Sequence, residues 1–166
     1  QKADQIALHI YTKLFHVLYQ ARASPDSPLL TTTTTDRWFN LETPDSDLFP
    51  RELRELYKAI STTFPAPPPT LYISVLLAVP ELSNNHVLVA LAQSQQQQQS
   101  QPGSSSRIRI EPTPRYVLLE SWSMTFTSRP KDVPPPTDVA LPTIYKHGIP
   151  LFRSLFSLLR ILPAWK

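Results

Sequence analysis

A chain of 166 residues can bury one real core, and its composition removes several chemistries at once. It contains no Cys, which excludes disulfides, thiolate metal sites and a Cys nucleophile, and its two glycines, Gly103 and Gly148, are too few for a Gly-rich phosphate cradle. The net charge of +3 is uneven: residues 1–83 hold 7 basic and 9 acidic side chains and residues 84–166 hold 9 and 4, a basic second half too weak to argue for nucleic acid.

The chain opens on Gln1 without a secretory leader pattern, since Ala7 to Leu18 carries His9, Lys13 and His16. It reads as a piece of a longer protein. Asp4 is placed to cap a first helix running to about Ala23. Ile6, Ile10, Leu14, Val17 and Leu18 form one apolar stripe, and Leu8, Tyr11, Phe15 and Tyr19 form another. A helix with two apolar stripes is expected to be packed on two sides. Residues 24–36, with two Ser-Pro pairs and five consecutive Thr, are expected to be a disordered loop.

Trp38, Phe39, Asn40 and Leu41 make a short aromatic anchor, read as a strand, before the acidic loop of Glu42, Asp45 and Asp47. Pro50 suits the first turn of a second helix with Leu53, Leu56, Tyr57 and Ile60 on one face, Asp47 near its cap and Arg51 paired with Glu55 on the wet side. Pro65 and Pro67 to Pro69 form an extended connector. The period then shifts to strands at Leu71–Val79 and His86–Ala92, with Pro80–Asn85 suited to a hairpin loop between them. Residues 93–106, rich in Gln and Ser, are expected to be disordered.

Tyr116–Phe126 alternates as a third strand, with Leu118, Glu120, Trp122, Met124 and Phe126 on one face. After a Pro-rich return over 129–137, Leu141 to Leu162 shows helical spacing with apolar residues around most of its circumference. That pattern predicts a buried helix, interrupted near Gly148 and Pro150 and stopped by Pro163. His147, Arg153 and Arg160 break the run too early for a membrane span. The order of elements predicts an α+β fold, a small antiparallel sheet packed against helices, in a single domain over residues 1–166.

Catalytic chemistry finds no foothold. His9 and His16 lie seven apart on one helical face, but without a carboxylate or third His they read as core-edge or interface histidines, not a metal site. The acidic loop reads as solvated and favourable to the next helix N-terminus. No Gly-x-Ser-x-Gly elbow presents a serine. We therefore expect no enzyme, no metal and no cofactor. Arg153 and Arg160 stand out on a helix built for burial. They either reach the rim or pair with Glu120, or they form a phosphoryl site shared with Arg115 or Lys146. Ser24-Pro25, Ser27-Pro28, Thr43-Pro44 and Thr113-Pro114 match proline-directed phosphorylation sites.

Three stretches together, ADQIALHIYTKLFHVLYQARA, WFNLETPDSD and YKHGIPLFRSLFSLLRILPAWK, with LLESW at Leu118–Trp122, resemble the N-terminal HORMA domain of the autophagy-related protein 13 family in its fungal form. The resemblance implies a non-catalytic regulatory scaffold of the autophagy-initiating serine/threonine kinase complex, working at the phagophore assembly site in the cytoplasm. Implied partners are that kinase complex, autophagy-related protein 101, the phosphatidylinositol 3-kinase complex and vesicles carrying autophagy-related protein 9, with no nucleic acid. It also implies phosphate-binding arginines, for which Arg153 is the best match and Arg115 a looser one. HORMA domains continue into a safety-belt segment that adds strands, and this chain stops at Lys166 before it. The rival readings are a HORMA adaptor of checkpoint or meiotic-chromosome type, and a weakly basic nucleic-acid-binding domain.

Overall fold

Among the described residues the fold comprises three α-helices and three two-stranded ribbons. The computed structural model describes residues 2–24, 34–45, 48–58, 60, 67–83, 85–92, 106–127 and 139–162. In chain order these are α1 (Lys2–Arg22), β1 (Thr35–Asp36), a 3-10 turn (Trp38–Asn40), β2 (Thr43–Pro44), α2 (Arg51–Tyr57), β3 (Leu71–Ala78), β4 (Val89–Ala92), β5 (Ser106–Arg109), β6 (Tyr116–Met124) and α3 (Leu141–Ile161). The α+β class agrees with the expectation. The chain divides into two compact units, residues 1–74 with 121–166, and residues 75–120.

The first unit holds the core. The two stripes of α1 serve two separate clusters, as their spacing predicts. Leu14, Val17, Leu18 and Ala21 pack with Phe39, Phe152 and Leu159, while Tyr11 on the other side packs with Phe49, Tyr57, Ile60 and Leu71. Ile73, Trp122 and Met124 from the paired strands β3 and β6 lie against the first cluster. Asp4 lies within the first turn of α1, not at its cap, and is buried there. Helix α2 is shorter than its apolar pattern suggests. Pro50 is its cap residue, Leu56 is exposed, and Glu55 bonds Lys58 instead of forming the expected pair with Arg51.

Several strand expectations need correction. The expected hairpin between β3 and β4 does not form. Instead β3 pairs with β6, and β4 pairs antiparallel with β5, Val89 opposite Arg109 and Ala90 opposite Ile108. Strand period identifies the strands but not their partners, because pairing is set by packing. In the second unit no described residue is buried, and Leu76, Leu77, Leu118 and Leu119 are exposed. The stretch read as a loop at 24–36 ends in β1, and Ser106 opens β5. The remaining expectations at 25–33, 93–105 and 128–138, as well as Asp47 and Pro163, lie outside the described residues.

Helix α3 runs unbroken through Gly148 and Pro150. It is not buried all round. Gly148, Phe152 and Leu159 face the core, whereas Ile144, Leu151, Leu158 and Ile161 are exposed. The anchor read as a strand is a 3-10 turn in which Phe39 (φ 59°) and Asn40 (φ 51°) adopt left-handed backbone. Asn tolerates that region, but for Phe it costs roughly 1–3 kcal/mol. Full burial of the ring offsets the strain by about 1.5–3 kcal/mol. Phe39 is 0% exposed, stacked on Tyr145 at 5.1 Å and tilted against Phe152 at 4.9 Å.

Gly148 makes room for that ring, since a Cβ there would lie 2.4 Å from Phe39 Cδ1. Gly→Ala inside a helix ordinarily gains up to ~1 kcal/mol. Here the clash with a buried ring dominates, at ~1–3 kcal/mol. Gly148→Ala is therefore expected to lower stability in urea unfolding, and a stabilised variant would refute the notch.

Candidate interaction site

The first unit carries a cleft of about 750 Å³ between α1, the β1–β2 ribbon and α2, with Tyr145 of α3 at its edge, lined by charged side chains together with Leu8 and Trp38. One lysine fastens the ribbon that lines it. Lys13 points from α1 into the ribbon and its side chain is fully buried. A buried ammonium is tolerated only when paired and fully bonded. Nζ shares its three hydrogens among four oxygens, Asp36 Oδ2 at 2.7 Å, Leu41 O at 2.8 Å, Thr43 Oγ1 at 3.0 Å and Asp36 O at 3.2 Å.

These contacts tie both strands of the ribbon to α1. Within the ribbon, Thr35 opposes Pro44, Asp36 opposes Thr43, and Asp45 N donates to Thr34 O at 2.9 Å. Asp36 also fixes the anchor, because its Oδ1 accepts the Trp38 backbone N–H at 3.0 Å.

Electrostatics follow the burial. Desolvation lowers the Lys13 ammonium, opposed by the hydrogen bond and charge of Asp36. Desolvation alone would raise Asp36, yet hydrogen bonds with His16, Lys13 and the Trp38 N–H hold it well below the usual carboxylate range. The ionised pair is the form that the 2.7 Å contact and four oxygens around Nζ require. His9 stacks on Trp38 with ring centroids 3.5 Å apart, and burial pulls its pKa from 6.5 to about 4, against the opposing charge of Asp36. His9 is thus a neutral aromatic plate at neutral pH.

His16 lies one turn beyond Thr12, between Asp36 and Asp45, and Asp45 also lies 3.6 Å from Arg54. His9 is thus a half-buried stacking residue and His16 a buried one that faces carboxylates. Among the described residues no cluster of three potential metal ligands occurs. The acidic loop is not uniformly solvated, since Asp45 turns to His16 and Arg54 while Glu42 lies 3.6 Å from Arg37.

Arg153 is exposed and its Nη2 donates to Asn40 O at 3.2 Å, so it braces the strained end of the anchor, while the Phe39 N–H donates to Tyr145 Oη at 3.1 Å. Arg160 is exposed, with its guanidinium 4.3 Å above the Phe156 ring. Arg115 is exposed and belongs to the second unit, where its carbonyl accepts the Val79 N–H at 2.9 Å. Of the Ser/Thr-Pro pairs, Thr43 is fully buried beside Lys13, which closes it to a kinase in the folded state. Lys13 and Asp36 escaped the sequence reading. The available signal was a lone charge set among Ile10, Leu14 and Val17 on a helix apolar on two sides, which demands a partner.

Helices packed with short antiparallel ribbons, and an aromatic anchor plugged into the closing helix, make an α+β fold consistent with the HORMA-like class. Comparison with known proteins narrows the class. The family profile described as autophagy-related protein 13 matches residues 8–166. The chain is 32% identical to autophagy-related protein 13 of Emericella nidulans over 174 aligned residues, covering 99% of this chain and 18% of that protein. It is 30% identical to the protein of the same name from Aspergillus niger and 29% to that from Sclerotinia sclerotiorum, again covering 18% of each. No solved structure matches. The chain belongs to the autophagy-related protein 13 family and spans about a fifth of the length of these relatives.

Two outcomes test the site. Lys13→Ala leaves Asp36 buried without its cation and is expected to cost ~3–5 kcal/mol in denaturant unfolding; a loss under ~1 kcal/mol would contradict the fastening role. The second concerns pH. The folded state disfavours protonated His9, so the unfolded chain binds that proton first and stability falls as pH drops from 6.5 to about 4. Wild type should lose more stability than His9→Gln between pH 7 and pH 4.5, as measured by urea melts.

Proposed function

We propose that this chain is the HORMA-type interaction domain, one domain over residues 1–166, of a non-catalytic regulatory scaffold subunit in the autophagy-initiating serine/threonine kinase complex. It acts in the cytoplasm at the phagophore assembly site. There it docks autophagy-related protein 101, the phosphatidylinositol 3-kinase complex and vesicles carrying autophagy-related protein 9. The observation that carries this reading is the family match across residues 8–166. The ribbon beside the cleft supports it, because Lys13 and Asp36 are engaged in fastening one segment to another and not in presenting a nucleophile to a base.

The same reading assigns phosphate recognition to Arg153 in the first unit and Arg115 in the second. Arg153 spends one of five N–H donors on Asn40 O, and its exposure suits a phosphorylated partner.

The test uses the full-length protein in fungal cells. Removing residues 1–166 should abolish co-purification of the phosphatidylinositol 3-kinase complex and of the vesicles, and retention of every partner would exclude the docking role. Arg153→Ala should weaken recruitment of a phosphorylated partner more than it lowers the melting temperature. A large loss of stability with unchanged binding would make the residue purely structural.

A further inference from the structure

The packing of α1 does not by itself explain how His16 is surrounded. The residue is 2% exposed and its ring lies between the two ends of the β1–β2 ribbon. Nδ1 is 3.4 Å from Asp36 Oδ2 and Nε2 is 3.6 Å from Asp45 Oδ1. Nε2 is buried without a hydrogen-bond partner. A neutral imidazole carries one N–H and one lone pair, whereas an imidazolium donates from both nitrogens. With the hydrogen on Nδ1 toward Asp36, a neutral ring turns its other lone pair on the Asp45 carboxylate, which also only accepts. The pair of carboxylates therefore suits the protonated ring.

We propose that His16 is a proton-operated fastener of the ribbon. A proton taken from water onto Nε2 lets the ring donate to Asp45 as well as Asp36, drawing both ends of the ribbon against α1; no other bond changes. The groups facing the ring are Asp36 and Asp45 from the ribbon, Arg54 from α2, and Lys13 on α1 itself, with His9 two turns away along the same helix. The carboxylates favour the proton and the two cations oppose it. Lys13 is matched by Asp36 at 2.7 Å, and Arg54 stands 3.6 Å from Asp45. The consequence of the fastening reaches the anchor, because the ribbon flanks Trp38 to Asn40 and with them the plug in α3. The inference stands on this geometry and is independent of the proposed function.

Amide hydrogen exchange of the full chain at pH 7.5 and 5.5, corrected for the intrinsic pH dependence of exchange, reads the fastening directly. Protection of the ribbon amides, Asp45 N–H above all, should rise about three- to tenfold on acidification, the scale of one partly screened charge-assisted hydrogen bond. Asp45 is 40% exposed, so Asp45→Asn should fold. Its amide can donate to the neutral ring, which leaves only the Asp36 contact to strengthen with the proton and so shrinks the pH dependence of ribbon protection. In wild type, nitrogen NMR of the His16 ring should show Nε2 becoming protonated over the same interval as the rise. Flat or falling protection on acidification, a rise undiminished in Asp45→Asn, or a ring that stays neutral across the rise would each overturn the proposal.

Discussion

The structure depends on one buried charge. An ammonium enclosed in protein needs a carboxylate and further oxygens, or it destabilises the fold by several kcal/mol. Lys13 finds all of these in a short ribbon more than twenty residues downstream, with Asp36 as counter-ion and Leu41 O and Thr43 Oγ1 as acceptors. Once the ribbon is pinned to α1, its neighbouring turn can lie in only one place. The Trp38 N–H goes to Asp36, Trp38 stacks on His9, and Phe39 enters the notch at Gly148. A polar contact thus sets the position of the largest apolar one.

The plug shows how the terms balance. Two successive left-handed residues are costly, and a helix glycine is a further weakness. Ring burial against Tyr145 and Phe152, the Phe39 N–H bond to Tyr145 and the Arg153 bond to Asn40 O act in the opposite direction. Strain held this way belongs to a segment that must be placed accurately.

What was legible in the sequence divides by range. The two stripes of α1 translated directly into two clusters, because 3.6-residue periodicity acts within one helix. The helices α2 and α3 and the strands β3 and β6 were likewise visible as local patterns. Partner choice was not, so the β3–β4 hairpin failed against the β3–β6 pairing. The conformation of Trp38–Asn40 depends on Gly148 and Tyr145, more than a hundred residues away, and no local propensity predicts left-handed Phe. Arg153 was recognised as unusual on its helix, yet its bond to Asn40 O required knowing where the anchor lands. Lys13 was passed over because one charge among apolar residues looks like an interruption until its carboxylate is found.

The most direct test of this account is a double-mutant cycle on Lys13→Met and Asp36→Leu, with stability measured by urea unfolding of the wild type, both single variants and the pair. If the buried ion pair fastens the ribbon, each single variant is strongly destabilised. The double variant then recovers much of the loss, giving a coupling of roughly 2–3 kcal/mol, within the range for contacting residues. Losses that simply add, with coupling under about 0.5 kcal/mol, would show that the two residues act independently and would contradict the central claim.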